Sequence, residues 1–152
     1  MNSLRAYNKK NSISVCKNIE VRFSEFDSIG ILWHGHYVQF CEDGREYFGN
    51  QFGISYLDIR EHGYIAPLTK INLEFKNYVT YGTLLEIKTT FHYMKTAKIV
   101  FTYEISKKKS NKIVCIGESE QVFLNAQTFR LEFSKPQFFI NWEKNHFFKV
   151  RQ

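Results

Sequence analysis

Only one stretch of this 152-residue chain has the periodicity of a long helix, and that helix is apolar around much of its circumference. Between residues 35 and 52, apolar side chains recur at steps of three and four, as they do on one face of an α-helix. Gly53 is predicted to be its C-cap, and a short helix is predicted over residues 55–61. The stripe contains Tyr37, Phe40, Cys41, Tyr47, Phe48 and Phe52, with Gly44 where a neighbour must approach closely.

The chain from residue 66 to residue 124 is typical of strands throughout. Four strands are predicted, over residues 68–78, 84–93, 99–105 and 113–123, and a turn at residues 107–111 joins the last two as a hairpin. No helical pattern separates them, which indicates an antiparallel sheet. A further half-buried strand is predicted over residues 19–24, where apolar and polar residues alternate.

This order of elements predicts an α+β fold with an antiparallel sheet of about five strands. A sheet packed flat on one side of the helix would leave part of its aromatic stripe in water, whereas a sheet wrapped around the helix would bury all of it. That arrangement is called the hot-dog fold. We predict a single domain over residues 1–152, with a loose N-terminal arm over residues 1–18 and a C-terminal tail of one or two amphipathic turns over residues 136–152.

The composition excludes several classes of protein. Hydrophobic residues make up 43% of the chain, too many for a disordered protein, and no apolar run approaches the roughly 18 residues of a membrane span. The first fifteen residues lack the apolar segment of a secretory signal peptide. The three cysteines are far apart and form no CxxC pair, which predicts a cytoplasmic protein without a disulfide framework. Cys41 is interpreted as a packed core thiol, with a nucleophilic role as the alternative.

The formal net charge of +6 favours anionic partners such as nucleic acid, anionic lipid or a phosphorylated small molecule. The only tight basic run, at residues 107–109, lies in the predicted hairpin turn. The sequence contains no long basic arm and no zinc-finger spacing. We therefore expect no nucleic-acid partner and no integral membrane association.

Residues 25–37, EFDSIGILWHGHY, carry the groups best suited to catalysis. Asp27 follows the first predicted strand, and the long helix begins seven to ten residues later. A carboxylate can attack a carbonyl carbon or deprotonate a water, and the unpaired amides of a helix N-terminus can stabilise the resulting oxyanion. An Asp shortly before a Gly is also a common turn residue, so the spacing alone leaves both interpretations open.

The same segment resembles the active-site motif of the 4-hydroxybenzoyl-CoA thioesterase family of hot-dog proteins. Within that family it is most similar to the bacterial acyl-CoA thioesterases encoded beside the Tol–Pal system. The resemblance covers about residues 19–142. Its matching residues are Val21-Arg22, Asp27-Ser28-x-Gly30-x-x-x-His34-x-x-Tyr37, Phe40-x-Glu42-x-x-Arg45, Tyr78-x-x-x-Gly82, Leu85-x-Ile87, Val100-Phe101-Thr102-Tyr103, and Thr128-x-Arg130 before Pro136.

The resemblance implies hydrolysis of acyl-CoA or acyl-carrier-protein thioesters, with no metal or redox cofactor. It implies that Asp27 is the nucleophile or the general base, that His34 contributes its backbone amide and its ring, and that Tyr37 lines the acyl pocket. Family members work as homodimers or homotetramers, because a second copy completes the pocket. Phe23 departs from the pattern, since the subgroup often has a Tyr four residues before the Asp, and this change implies an altered rate or acyl group.

Further substrate contacts are expected around the helix start and at one turn of the sheet. Trp33, Gly35 and His36 belong to the first set, and Trp33 keeps an aromatic acyl group open as a substrate. Lys95 and Lys98 form the second set, at a turn where family members bind the phosphates of CoA. For His36 and both lysines, a plain solvated surface position is the alternative interpretation.

Other interpretations stay open at this stage. A related hot-dog branch places its catalytic acid in the middle of the helix, so Glu42 or Glu46 could serve as a second carboxylate, although pairing with Arg45 or solvent is the ordinary role of such residues. A hydratase would need an Asp and a His at closer spacing after a second helix, which this sequence lacks. A non-catalytic acyl-binding or scaffold protein is indicated only by Phe23.

Overall fold

The computed structural model describes residues 7–148, which form a five-stranded antiparallel sheet with helices packed on its inner face. The five longer strands are ordered β1-β4-β5-β6-β3, and the two short strands pair with each other. In chain order the strands are β1 (Ser12–Ile19), β2 (Tyr64–Ile65), β3 (Leu68–Phe75), β4 (Leu85–His92), β5 (Lys98–Lys107), β6 (Ile113–Val122) and β7 (Leu124–Asn125). The helices are α1 (His36–Phe52), α2 (Tyr56–Glu61) and α3 (Gln137–Phe147), and 3-10 turns cover Lys9–Asn11 and Phe23–Glu25.

The central helix confirms the predicted hot-dog architecture. α1 packs against β1, β4 and β5, and the strands predicted between residues 66 and 124 are present as β3 to β6. Gly44 faces β4 so closely that an ideal Cβ there would lie 2.3 Å from Thr89 Oγ1, so any larger residue would have to displace the Thr89 hydroxyl. Gly53 ends the helix with a φ of 73°, the left-handed conformation that glycine favours.

The first predicted strand is wrong in its position. The strand covers residues 12–19 rather than 19–24, and β1 pairs with β4 along its whole length. The prediction of a loose arm is therefore wrong for residues 12–18, whose side chains alternate between core and solvent. Beyond β1 the chain leaves the sheet, because the Arg22 amide donates to Glu25 Oε1 at 2.9 Å and starts a 3-10 turn. Residues 1–6 of the predicted arm lie outside the described part of the chain.

The predicted C-terminal tail contains a helix that completes the core. α3 has eleven residues, about three turns, instead of one or two. Phe139 is fully buried, and Trp142 Nε1 donates to the Phe52 carbonyl oxygen at 2.6 Å. The segment folds as a helix because its aromatic face fills the space between α1 and the sheet. The last four residues, 149–152, lie outside the described range.

Aromatic side chains fill the region between α1, α3 and the sheet. Phe91 of β4 is fully buried, with its ring centroid 6.0 Å from that of Phe48 and 5.0 Å from that of Trp142. Three elements distant in sequence therefore meet at one side chain. Between residues 7 and 148, no helix is long and apolar enough to cross a membrane.

We expect Phe139→Ala to lower the free energy of unfolding by about 3–5 kcal/mol, because it leaves a cavity in a packed core. Urea denaturation measures this difference. Lys144→Ala, at an exposed position of the same helix, is the matched control and should change it by about 0.5 kcal/mol or less. A loss below about 1 kcal/mol for Phe139→Ala would contradict the inclusion of α3 in the cooperative core.

Candidate active site

The loop between β1 and α1 is fixed to the sheet by backbone hydrogen bonds. The Leu32 amide donates to the Val79 carbonyl oxygen at 2.8 Å, and the Trp33 amide donates to the Glu25 carbonyl oxygen at 3.0 Å. An antiparallel bridge closes the chain on itself over residues 26–32. The loop therefore has a defined shape and leads directly into the first turn of α1.

Asp27 is half-buried in this loop, and its carboxylate is oriented by the loop backbone. Asp27 Oδ1 accepts hydrogen bonds from the Ile29 amide at 3.0 Å and from the Ile31 amide at 3.3 Å. The Asp27 amide in turn donates to the Ile31 carbonyl oxygen at 2.9 Å. One carboxylate oxygen is thus engaged, while Oδ2 makes no hydrogen bond within residues 7–148.

The start of α1 presents unpaired backbone donors. The His36 amide donates to the Trp33 carbonyl oxygen at 3.1 Å, and the Tyr37 amide donates to the His34 carbonyl oxygen at 3.3 Å. The N–H groups of His34 and Gly35 have no backbone acceptor in the described chain. Because the N-terminus of a 17-residue helix carries a partial positive charge, these two donors are suited to an oxyanion.

A cleft of about 420 Å³ opens where the loop, the helix start and the end of β3 meet. The structure brings three predicted site residues together in its wall, namely Asp27, His34 and Tyr37. The Tyr37 ring centroid lies 5.2 Å from that of Phe75, and burial raises the pKa of Tyr37 to about 12, so its hydroxyl keeps its proton at neutral pH. The complete wall consists of Asp27, Ile31, Leu32, His34, Tyr37, Phe75, Lys76, Asn77 and Tyr78.

Trp33 and Gly35 lie beside the cleft, outside its wall. The Trp33 indole lies across Gly35, where an ideal Cβ would fall 2.1 Å from the ring. The Trp33 ring centroid is 5.0 Å from that of His34 and 5.4 Å from that of His36, and 47% of the residue is exposed. Gly35 therefore makes room for a half-exposed aromatic surface next to His34.

His36 faces a different cavity from Asp27. Its Nδ1 atom lies 2.7 Å from Gln39 Oε1 and 3.7 Å from Glu25 Oε2. The cavity that it lines has a volume of about 720 Å³ and lies between the end of β1 and the outer face of α1. The structure does not bring His36 into the Asp27 cleft, and its contact with substrate stays a prediction.

Lys95 and Lys98 are separated from the cleft by the length of the sheet. Their turn lies where β3 begins and β6 ends, whereas the cleft lies where β3 ends. Lys98 Nζ also pairs with Glu120 Oε2 at 2.8 Å. Neither lysine belongs to the wall of the Asp27 cleft, and their contact with the phosphates of CoA stays a prediction.

The mid-helix acids and Cys41 lie away from the cleft as well. Glu42 pairs with Arg45, the ordinary helix contact, and both line a separate cavity together with Glu46. Burial raises the pKa of the Cys41 thiol above its ordinary value, so the thiol stays protonated. This agrees with its interpretation as a packed core residue.

Sequence reasoning missed the contribution of β3 to the cleft. Phe75, Lys76 and Asn77 approach the Asp27 loop from the end of that strand. Asn77 Nδ2 donates to the Ile113 carbonyl oxygen at 2.6 Å, which fixes the chain as it leaves the sheet. The only available signal was Tyr78, which belongs to the matched pattern and lies at the same strand end.

Comparison with known proteins identifies relatives of this chain. A family model described as the thioesterase-like superfamily matches residues 21–142. A Bacillus subtilis relative named "Putative acyl-CoA thioesterase YneP" is 30% identical over 109 residues, which cover 67% of this chain and 79% of that protein.

Solved structures share the fold. The DHNA-CoA thioesterase from Staphylococcus aureus is 27% identical, with a TM-score of 0.76 and a match covering 88% of both chains. The 4-hydroxybenzoyl CoA thioesterase from a Pseudomonas species is 19% identical, with a TM-score of 0.73 over 85% of this chain and 98% of that chain. At the lower identity, the likeness shows the fold alone.

The hydrogen bonds around Asp27 predict different costs for two substitutions. Asp27→Ala removes the acceptor for both loop amides and should lower the free energy of unfolding by about 2 kcal/mol, whereas Asp27→Asn keeps a side-chain oxygen there and should cost about 1 kcal/mol or less. Urea denaturation of both variants checks this. Equal losses would contradict an anchoring role for Oδ1.

Proposed function

We propose that this chain, which belongs to the thioesterase-like superfamily, hydrolyses acyl-CoA to a free acid and CoA thiol. The observation that carries the proposal is the meeting of the Asp27 carboxylate with the start of α1 in one cleft. Similarity to a Bacillus subtilis protein of that description supports the reaction class. A cytoplasmic location, the use of carrier-protein thioesters and membership of the Tol–Pal subgroup are finer parts of the same proposal.

The geometry suits a thioester carbonyl placed between the carboxylate and the helix. The carbonyl oxygen would accept a hydrogen bond from the N–H group of His34, a residue of the cleft wall, where the charge of the helix terminus stabilises the developing oxyanion. The loop amides hold Asp27 Oδ1, so Oδ2 is the oxygen that acts on the substrate. The cleft therefore combines a carboxylate oxygen that can act on the carbonyl carbon with a helix terminus that stabilises the resulting oxyanion.

Two routes use the same oxygen. As a nucleophile, Asp27 Oδ2 bonds to the carbonyl carbon, the C–S bond breaks, the CoA thiolate takes a proton, and water then hydrolyses the acyl–aspartyl anhydride. As a general base, Oδ2 takes a proton from water, the resulting hydroxide attacks the carbonyl carbon, and the thiolate leaves and is protonated. Both routes require the ionised carboxylate.

The proposal includes a homodimer formed through β3. Within the described chain, β3 is a sheet edge that pairs only with β6, and such an edge is a template for another strand. A two-fold axis that pairs β3 with its copy places Leu68 of one copy opposite Phe75 of the other. This pairing would bring together two sets of exposed apolar side chains, one near each end of β3. The set near Phe75 is Phe23, Ile29, Trp33, Tyr78 and Tyr81, and the set near Leu68 is Tyr56, Leu57, Phe129, Leu131 and Phe133. A homotetramer could contain two such dimers.

The same pairing would bring lysines to the site from the second copy. Lys95 and Lys98 lie at the turn between β4 and β5. The β3 pairing would place this turn of one copy at the same end of the dimer as the Asp27 cleft of the other copy. Lys95 and Lys98 of the partner subunit are then on the side from which the nucleotide part of CoA approaches. The proposed role of these lysines in phosphate binding therefore depends on the dimer.

Turnover by Asp27→Asn should fall by a factor of about 10²–10⁴, because the reactive oxygen is lost while the loop is retained. Release of free CoA thiol from a panel of acyl-CoAs measures it. Lys144→Ala is the control with parental turnover expected. Full activity in folded Asp27→Asn would reject Asp27 as the catalyst, and a parent without thiol release would favour a non-catalytic acyl-binding protein.

His34→Ala should reduce turnover less than Asp27→Asn does, because the backbone amide of residue 34 remains in place. The same thiol-release assay ranks the two variants. A loss as large as that of Asp27→Asn would instead make the His34 ring the main catalyst.

Lys95→Ala should raise the KM for acyl-CoA and leave kcat nearly unchanged, because remote phosphate binding is lost while the reacting centre is intact. Increasing salt should raise KM in the same way for the parent, and much less for a short thioester without the nucleotide. Lys95 is the cleaner position to change, since Lys98 also pairs with Glu120. An unchanged KM for Lys95→Ala would assign Lys95 to the plain surface, and an unchanged KM for the double variant Lys95→Ala/Lys98→Ala would do so for both lysines.

A further inference from the structure

Arg45 is a buried cation in the middle of α1 with an unmet donor. Only 10% of its side chain is exposed. The Nη2 atom donates to the Glu42 carboxylate, whereas Nη1 is buried without a hydrogen-bond partner among residues 7–148. Because an unsatisfied buried donor is costly, an acceptor is expected for Nη1 in the working assembly.

Arg45 lines a cavity of about 380 Å³ in which apolar residues form about half of the wall. Two uncharged polar side chains of the wall already donate hydrogen bonds to neighbouring groups. Gln121 Nε2 donates to the Ala66 carbonyl oxygen at 2.6 Å, and Ser55 Oγ donates to Asp58 Oδ2 at 2.7 Å. The arrangement fits an apolar group that carries one acceptor for Arg45. The apolar part of the wall is formed by Ile54, Ile59, Ala66, Leu68, Ile99 and Phe101.

The two ends of β3 relate this cavity to the Asp27 cleft. Leu68 lines the cavity at the beginning of the strand, and Phe75 lines the cleft at its end. In the proposed dimer, the beginning of β3 in one copy lies opposite the end of β3 in the other. The dimer would thereby place the Arg45 cavity of each copy at the same end of the shared sheet as the Asp27 cleft of its partner.

We infer that the acyl group held in one Asp27 cleft extends toward Arg45 of the partner subunit, whose Nη1 donates to a neutral oxygen at the distal end of that acyl group. A hydroxyl or carbonyl oxygen meets this requirement. The inference rests on the proposed thioesterase function and dimer, and it names an acyl class and the residue that selects it.

The charges around the cavity favour a neutral oxygen over a carboxylate. Glu42 and Glu46 line the same cavity, so two carboxylates accompany one guanidinium. A third carboxylate, at the end of a substrate, would be repelled. A purely apolar end would leave Nη1 unpaired, and a site built to pair a polar group discriminates against an analogue that lacks it.

The first test compares kcat/KM for straight-chain acyl-CoAs of several lengths with kcat/KM for their ω-hydroxy and ω-carboxy counterparts. At the length that reaches Arg45, we expect the ω-hydroxy substrate to be favoured over the plain one by about tenfold, as expected for a hydrogen bond to a charged donor. The ω-carboxy substrate should fall below the ω-hydroxy one.

Substitutions at Arg45 separate recognition from general structure. Arg45→Met and Arg45→Lys should both lower the ratio of kcat/KM for the ω-hydroxy substrate to kcat/KM for the plain substrate toward one. Methionine removes the donors, and lysine keeps the charge but lacks the planar pair of donors. The preference is a ratio, so a general loss of activity does not imitate its disappearance. Lys144→Met removes a cation from an exposed helix position and should keep the parental ratio.

A mixed dimer tests whether Arg45 acts across the interface. One copy carries Asp27→Asn and the other carries Arg45→Met, with different tags for purification. If Arg45 acts on the partner's cleft, one site has both native residues, and the dimer retains the hydroxy preference with about half of the parental activity. If Arg45 acts within its own chain, the only active site lacks it and the preference disappears.

The outcomes distinguish this inference from the function on which it rests. Hydrolysis of plain acyl-CoAs without a hydroxy preference at any length, or with a preference unchanged by Arg45→Met, overturns the inference and leaves the thioesterase proposal standing. Loss of the preference in the mixed dimer overturns the placement across the interface. A parent that hydrolyses no acyl-CoA rejects both proposals.

Discussion

The depth at which α1 lies against β4 determines the geometry of the candidate site. At Gly44 the helix has no side chain, and Thr89 Oγ1 occupies the space that a Cβ would need. A side chain too large for the Thr89 hydroxyl to make room for would force the helix away from the sheet. The first turn of α1 would then move relative to the loop over residues 26–32, which is fixed to the sheet by its own hydrogen bonds. The Asp27 carboxylate and the start of α1 meet in one cleft because the same sheet positions both of them.

Local periodicity accounts for what the sequence could predict about the fold. The aromatic stripe of α1 and the four later strands have patterns that are complete within each segment. The first strand was misplaced because Val21 and Phe23 continue the alternation of β1 after the chain has left the sheet, and a bond between the Arg22 amide and Glu25 decides the turn. α3 was underestimated because its aromatic residues have modest intrinsic helix propensity, and the contacts that stabilise them come from distant elements.

The candidate site was likewise predictable only where its residues lie close together in the sequence. Asp27, His34 and Tyr37 lie close together in the sequence, so their spacing and the family resemblance predicted a common location that the structure supports. Phe75 and its neighbours enter the cleft through the position of β3 at the edge of the sheet, which no local pattern encodes. Lys95 was grouped with the site by resemblance alone, and in a single chain the sheet separates them. If a second copy completes the site, as proposed, the residues that it contributes cannot be inferred from one chain alone.

The hydrogen bond between Trp142 and the Phe52 carbonyl has a consequence for biosynthesis. α3 is translated after every strand of the sheet, yet its aromatic residues cover Phe91 in the middle of the core. A nascent chain that still lacks α3 exposes this surface to solvent and to chaperones. We therefore expect stable folding to await the emergence of α3 from the ribosome, and a chain stalled shortly before it to be prone to aggregation and proteolysis.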